Sequence, residues 1–382
     1  MSEFGEAIKD MMIEAEIKDL PKDVVEHFEE EAKVIGADID KDFNLGVTAE
    51  KLGKVGESME AFMANFLDSV SNESWDIRTA RQFDMGMQTI LGVAGLDAAT
   101  VGFEESFEDA GKFMGKEEQK EHAEKGGEGV LRKIWGFLVN ALKKLVAGIT
   151  GFFSALERMA TSIEKIGKDL GTLVKGRSFR TGEVKGSWAR YLFDGGKTYS
   201  GSEAISKTQQ LLQSVTGAWS KDTAAALASA KNGGSKPKLG LISGLHWPIT
   251  WPGGVVMKLE GGGDDLSAAK FSVSKGEGSK SSADALTRIE ADALVKVIIG
   301  SAGTVRNLRT ALKKDVDQYS AMANQLATAQ NFKRGGDMTT GRVAAALTNK
   351  ANTVNKACAQ VMLDNVRCAV AHIKASFGGS AE

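Results

Sequence analysis

Apolar residues recur every three or four positions through most of the chain, the spacing of one face of an α-helix. In the first third the sets are Phe4, Ile8, Met11 and Met12, then Val24, Phe28, Ala32 and Ile35, then Leu52, Val55, Met59, Phe62, Phe66 and Val70. From Leu131 to Leu173 the steps of three and four are sustained, which predicts a packing seam through Leu138, Leu142, Leu145, Ile149 and Phe152. Gly148 and Gly151 fall inside it and each weakens a helix by about 1 kcal/mol relative to Ala, so the segment reads as one amphipathic helix or a helical hairpin. The helical period fades between 176 and 280, where SFRTGEV, SWARYLF, LGLISGLHWPITWPGGVVMKLE and AKFSVS read as strands and turns around one helix from about Ser202 to Lys231. It returns in the tail, with Val305, Leu308, Leu312, Val316 and Tyr319, then Leu347, Ala351, Val354, Cys358 and Val361.

The predicted fold is mainly α, with helical N-terminal and C-terminal parts and a small β-containing insertion (α+β). Five segments follow: a helical leader over 1–111, a linker over 112–129, the amphipathic helix or hairpin over 130–175, the mixed insertion over 176–280 and a helical domain over 281–382. The linker is assigned to Lys112–Gly129 because it is rich in Lys, Glu and Gly and nearly devoid of apolar residues. With 42% apolar content and both charge signs present, the 382-residue chain has the composition of a folded protein.

Charge divides the chain more sharply than hydropathy does. Residues 1–128 hold 31 Asp plus Glu against 13 Lys plus Arg, a balance of −18, while the remainder holds 19 against 35, or +16. An acidic leader is therefore joined to a basic body, which points to a polyanionic partner for the body. Residues 129–180 alone hold ten Lys plus Arg and three Asp plus Glu, the composition of a basic amphipathic helix that could lie on a lipid surface or present a solvated cationic face. The longest uncharged apolar run, between Lys144 and Glu157, is twelve residues against the roughly 20 a spanning helix needs, which argues against an integral membrane protein.

The residues carry little that resembles catalysis. His27, His122, His246 and His372 are scattered without metal-ligand spacing, so no metal, cofactor or catalytic group is assigned. His246 lies beside Trp247, Pro248, Trp251 and Pro252, a corner read as core packing. Gly196-Lys197-Thr198 ends like a phosphate-binding loop, but Tyr191 stands where the leading glycine should be. Cys358 and Cys368 on one helix would lie roughly 15 Å apart and are expected as free thiols. The basic residues Arg306, Arg309, Lys313, Lys314, Lys333, Arg334, Arg342 and Lys350 spread over the tail in a manner suited to sequence-independent phosphate contact.

An acidic helical leader, a hydrophilic junction and a basic body together resemble the internal head proteins, or inner-body proteins, of large tailed bacteriophages. That resemblance implies a leader that directs the protein into the prohead and is removed there by a prohead protease favouring a small residue two positions before a glutamate. Gly126-Gly127-Glu128, at the charge boundary, and Ser106-Phe107-Glu108 fit that pattern, as do Ser58-Met59-Glu60 and Ser71-Asn72-Glu73. It also implies a non-enzymatic virion protein in the capsid interior, made in the host cytoplasm. Its partners would be double-stranded DNA bound nonspecifically, other virion proteins, the protease and further copies of itself. The rival expectations are a membrane-active protein that uses 131–173 on the host membrane surface, and a cytoplasmic helical scaffold.

Overall fold

A computed structural model describes residues 22–40, 55, 58, 61–62, 77–93, 116–231, 240–261, 269–276, 280–328 and 337–378. The fold is mainly α with a small β part. In chain order the elements are α1 (Lys22–Asp40), α2 (Ile77–Val93), α3 (Lys116–Gly176), β1 (Glu183–Lys185), α4 (Gly201–Lys231), β2 (Ile249–Trp251), β3 (Val255–Glu260), β4 (Lys270–Lys275), β5 (Ser282–Asp284), α5 (Arg288–Thr328) and α6 (Asp337–Ala375). A 3-10 helix, Ser187–Leu192, follows β1.

The long helix α3 is continuous through both the junction and the seam. The stretch 112–129, expected as a linker, is helical from Lys116 onward. Its Lys, Glu, Gln and Ala residues are strong helix formers, and the exposed pair Lys125–Glu121 adds (i, i+4) support at 2.6 Å. Gly148 and Gly151 do not divide the seam into a hairpin, because the face they interrupt is held by tertiary packing. Leu138, Leu142, Leu145, Ile149 and Phe152 are all at most 2% exposed. Farther along, α3 runs close to α5, and at Gly167 an added Cβ would stand 2.5 Å from Ile299 Cγ1.

Helix α6 lies at the centre. It contacts α1, α3, α4 and α5 and the 3-10 helix, and between Val343 and Lys374 only Thr353 is less than fully buried. Cys358 and Cys368 are free, buried thiols on this helix. Burial pushes both up, Cys368 to about 11.

The β part is two antiparallel pieces. β1 pairs with β5 in the register Val184↔Ala283, and β3 is flanked by β2 and β4. Because β5 is Ser282–Asp284, the insertion closes a few residues beyond the expected boundary at 280. The β2–β3 turn uses Gly253 at φ 100, a conformation that favours glycine, and seats it against Asn365 of α6. The Asn365 amide donates to Pro252 O at 2.7 Å and to Thr208 Oγ1 at 2.9 Å, tying the sheet, α4 and α6 together. Trp251 is fully buried, and the Trp247 indole donates to Ile242 O at 3.0 Å, so the aromatic corner is core.

The acidic leader is not a separate layer. Val25, Phe28, Ala32, Ile35 and Ile39 of α1 and Phe83, Met87 and Leu91 of α2 belong to the same buried core as the body.

Candidate functional site

Two features gather charge into definite geometry: a cationic stripe along α3 and the dock of α1 beside it.

The residues of α3 that bury the seam leave the opposite face in solvent. From Lys143 to Gly176 the exposed positions include Lys143, Lys144, Arg158, Lys165, Lys168 and Lys175, and none of them is Asp or Glu. Their spacing keeps them on one side of the helix. Lys143 to Lys175 spans roughly 48 Å, the length of about fourteen base pairs of duplex. The helix's acids, Glu157, Glu164 and Asp169, are half-buried at the borders. On one border Arg306 meets Glu164 at 2.7 Å, and Arg309 meets Glu157 at 3.1 Å. Hydrogen bonds from Lys168 and Arg306 hold the Glu164 carboxyl down at about 2.

The tail cations expected to contact phosphate therefore divide. Lys313 and Lys314 are exposed, while Arg306 and Arg309 stand within the ion pairs to α3. Lys350 is 9% exposed on α6 and is corrected from a surface contact to an interior residue, because the helix face that carries it is covered by neighbouring elements. Arg342 is only partly exposed on the same helix. Lys333 and Arg334 lie outside the described residues. Of the cleavage motifs, Gly126-Gly127-Glu128 lies within helical α3, whereas Glu60, Glu73 and Ser106-Phe107-Glu108 lie outside the described residues.

On the other border sits α1. Asp38 forms an ion pair with Arg158 of the stripe, and Glu31 accepts from Ser162. Deeper in, Arg367 of α6 donates through Nε to Glu29 at 2.9 Å and through a second nitrogen to the same oxygen. Arg367 also reaches Asp364 at 3.3 Å, and Arg190 of the 3-10 helix stands 3.7 Å from Asp364. Arg190, Asp364 and Arg367 are each under 10% exposed. This cluster of two guanidiniums and two carboxylates is neutral only when Glu29 is counted. Burial raises Asp364, with Arg190 and Arg367 opposing. For Arg367, burial disfavours the charge, but Glu29 and Asp364 outweigh it and the shift is upward. Lys374, 7% exposed, is brought down by burial to about 8, with Glu29 and Glu26 of α1 acting the other way.

A groove of about 690 Å³ opens where α4 and α5 begin, lined by Tyr199, Ser200, Lys280, Asp284, Ile289 and His372 among others. Its polar groups are already engaged. Glu203 accepts from Ser200 N and Glu290 from Thr287 N, reciprocal caps that satisfy the first turns of both helices. The Asp284 carbonyl can only accept, so His372 Nε2 carries the proton donated to it at 3.0 Å, and Nδ1 accepts from the Tyr191 hydroxyl at 2.9 Å. The ring stacks on Trp188, and burial lowers its pKa to about 4, leaving a neutral imidazole at pH 7. At Gly196-Lys197-Thr198 the amides of Gly196 and Lys197 donate to Asp194 Oδ1, so the N–H groups a phosphate would need are occupied. Among the described residues no group of three or more His, Cys, Asp or Glu could hold a metal ion.

Charge composition revealed α3 as a basic helix, but not the sidedness of its stripe. The α1 dock was illegible, since it pairs Glu29 with a residue 338 positions away. Within Trp135–Gly176 one window also proves long and apolar enough to cross a membrane by length and composition, 39% of it buried. The sequence reading stopped that span at Lys144, whereas the window tolerates up to two charged residues.

No family model, no curated protein and no solved structure matches the chain.

Proposed function

We propose that the chain is a non-enzymatic structural protein of a virion interior, an internal head protein whose basic body contacts duplex DNA without sequence preference once its acidic leader no longer masks it. The observation that carries this reading is the α3 stripe, six cations on one exposed face with no exposed acid among them, bordered by an acidic leader helix that pairs with one of the six. A stripe without interleaved aromatics suits phosphate contact rather than base readout. In this reading the leader serves during prohead assembly and is cut by the prohead protease.

The test is salt-titrated retention on duplex DNA of the full chain and of the triple variant Lys143→Glu, Lys165→Glu, Lys175→Glu. Each lost phosphate contact should flatten the log affinity against log salt by about 0.9. Equal slopes for the two proteins would overturn the assignment. Intact mass from mature particles checks the leader, because a full-length chain there contradicts its removal. The competing membrane-active reading draws on the apolar window of α3, and flotation of the same protein with anionic liposomes at equal salt would favour it.

A further inference from the structure

We propose that the trough between α3 and α6 is a receptor for an acidic amphipathic helix, and that α1 stays seated in it after the chain between α1 and α3 has been cut. The inference rests on the leader-and-body reading for its biological sense. Cleavage and unmasking would then be two separate events.

The fit is both apolar and electrostatic. Val25, Phe28, Ala32, Ile35 and Ile39 follow steps of three and four and are each at most 6% exposed, so one whole face of α1 is withdrawn from water. The approach is close: a Cβ added at Gly36 would meet Gln360 Oε1 of α6 at 3.4 Å. Glu29 sits on Arg367, Asp38 on Arg158 and Glu31 on Ser162, so acidic positions on both sides of the apolar face find partners on the body.

An empty trough is disfavoured for a specific reason. Without Glu29 the buried set Arg190, Asp364 and Arg367 carries one unmatched positive charge, and removing one partner of a buried ion pair is far more costly than the pair is favourable. The departing helix gains little either, because a 19-residue segment is marginal as a free helix in water. All four glutamates at candidate cleavage points, Glu60, Glu73, Glu108 and Glu128, lie C-terminal to Asp40, so each cut would leave α1 whole.

The experiment uses the full chain with a recognition sequence for a site-specific protease inserted between Asp40 and Val55. After cutting, size-exclusion chromatography at low salt and neutral pH, followed by mass spectrometry of the peak, should find the N-terminal fragment eluting with the body. A fluorescently labelled peptide of residues 22–40 should exchange into the cut protein. Glu29→Lys should raise its dissociation constant at least about tenfold, and Arg367→Glu in the protein should restore binding of the Glu29→Lys peptide. Because Glu29→Lys is placed in the peptide, its effect does not depend on refolding the body, and Glu29→Gln in the peptide gives the milder comparison. A fragment that separates from the body at low salt as soon as the chain is cut overturns the proposal, whether or not the body then stays in solution. So does a Glu29→Lys peptide that binds as well as the natural one. DNA retention is not read in this experiment, so its outcome and that of the DNA assignment are separable.

Discussion

Helices α3 and α6 bury their residues by opposite means. Through the seam α3 hides an apolar face and leaves a cationic face in water, as an amphipathic helix at a core boundary does. Helix α6 is enclosed on every side yet is not apolar on every side, since Lys350, Lys356, Asp364, Arg367, His372 and Lys374 all lie under 10% exposed. Its polar groups are held by particular partners: Lys356 lies over the Phe152 ring at 5.9 Å, Arg367 is shared between Glu29 and Asp364, and Asn365 bridges Thr208 and Pro252. The first helix depends on area removed from water, the second on pairings that fail singly.

Mutations can break this comparison from either side, and the apolar seam should respond most. Leu142→Asp places a carboxylate where 2% of the side chain's surface is exposed, and denaturant unfolding should record a loss on the order of 4 kcal/mol. Lys143→Asp, one residue away on the exposed face, should change stability by less than about 0.5 kcal/mol. Equal effects would mean that α3 is not packed along this face.

The polar interior should instead be sensitive to pH. His372 has a folded pKa of about 4 against 6.5 when free, so the unfolded chain binds the extra proton between those values and stability falls as pH drops from 6.5 to 4. The full shift corresponds to roughly 3 kcal/mol. Melting curves across that window should show the loss, and His372→Gln should flatten it. An unchanged pH profile in the variant would assign the acid sensitivity to other groups.

Smaller still is the expected cost of Asn365→Ala, which leaves Thr208 Oγ1 and the Pro252 carbonyl without their donor. Equilibrium unfolding should lose about 2 kcal/mol, with the effect spread over α4 and the β2–β3 turn in hydrogen exchange.

The same contrast explains what could be read from the residues. Periodicity identified the seam of α3, the β-containing insertion and the mainly helical class, because each rests on local spacing. It misplaced the 112–129 junction, where a dearth of apolar residues was taken for a linker although the residue types favour helix. It also read Lys350 as a surface cation, since a polar face on a helix gives no sign that a second polar face will cover it. The stripe was half visible, as an excess of basic residues in 129–180 without their arrangement. The dock of α1 was not visible at all, because the reciprocity of Glu29 and Arg367 exists only once the fold has brought them together.

The buried thiols of α6 turn this enclosure into a clock. A thiol raised to about 11 is thiolate in roughly one molecule in ten thousand at pH 7, and Cys368 is in addition completely covered. An alkylating reagent can therefore reach Cys358 or Cys368 only when the sheath around α6 parts. The rate of labelling in the native protein measures how often that happens, residue by residue and without any engineered probe. A protein that took up two labels together would open as a unit, while faster modification of Cys368 alone would show that the end of the helix under α1 breathes by itself.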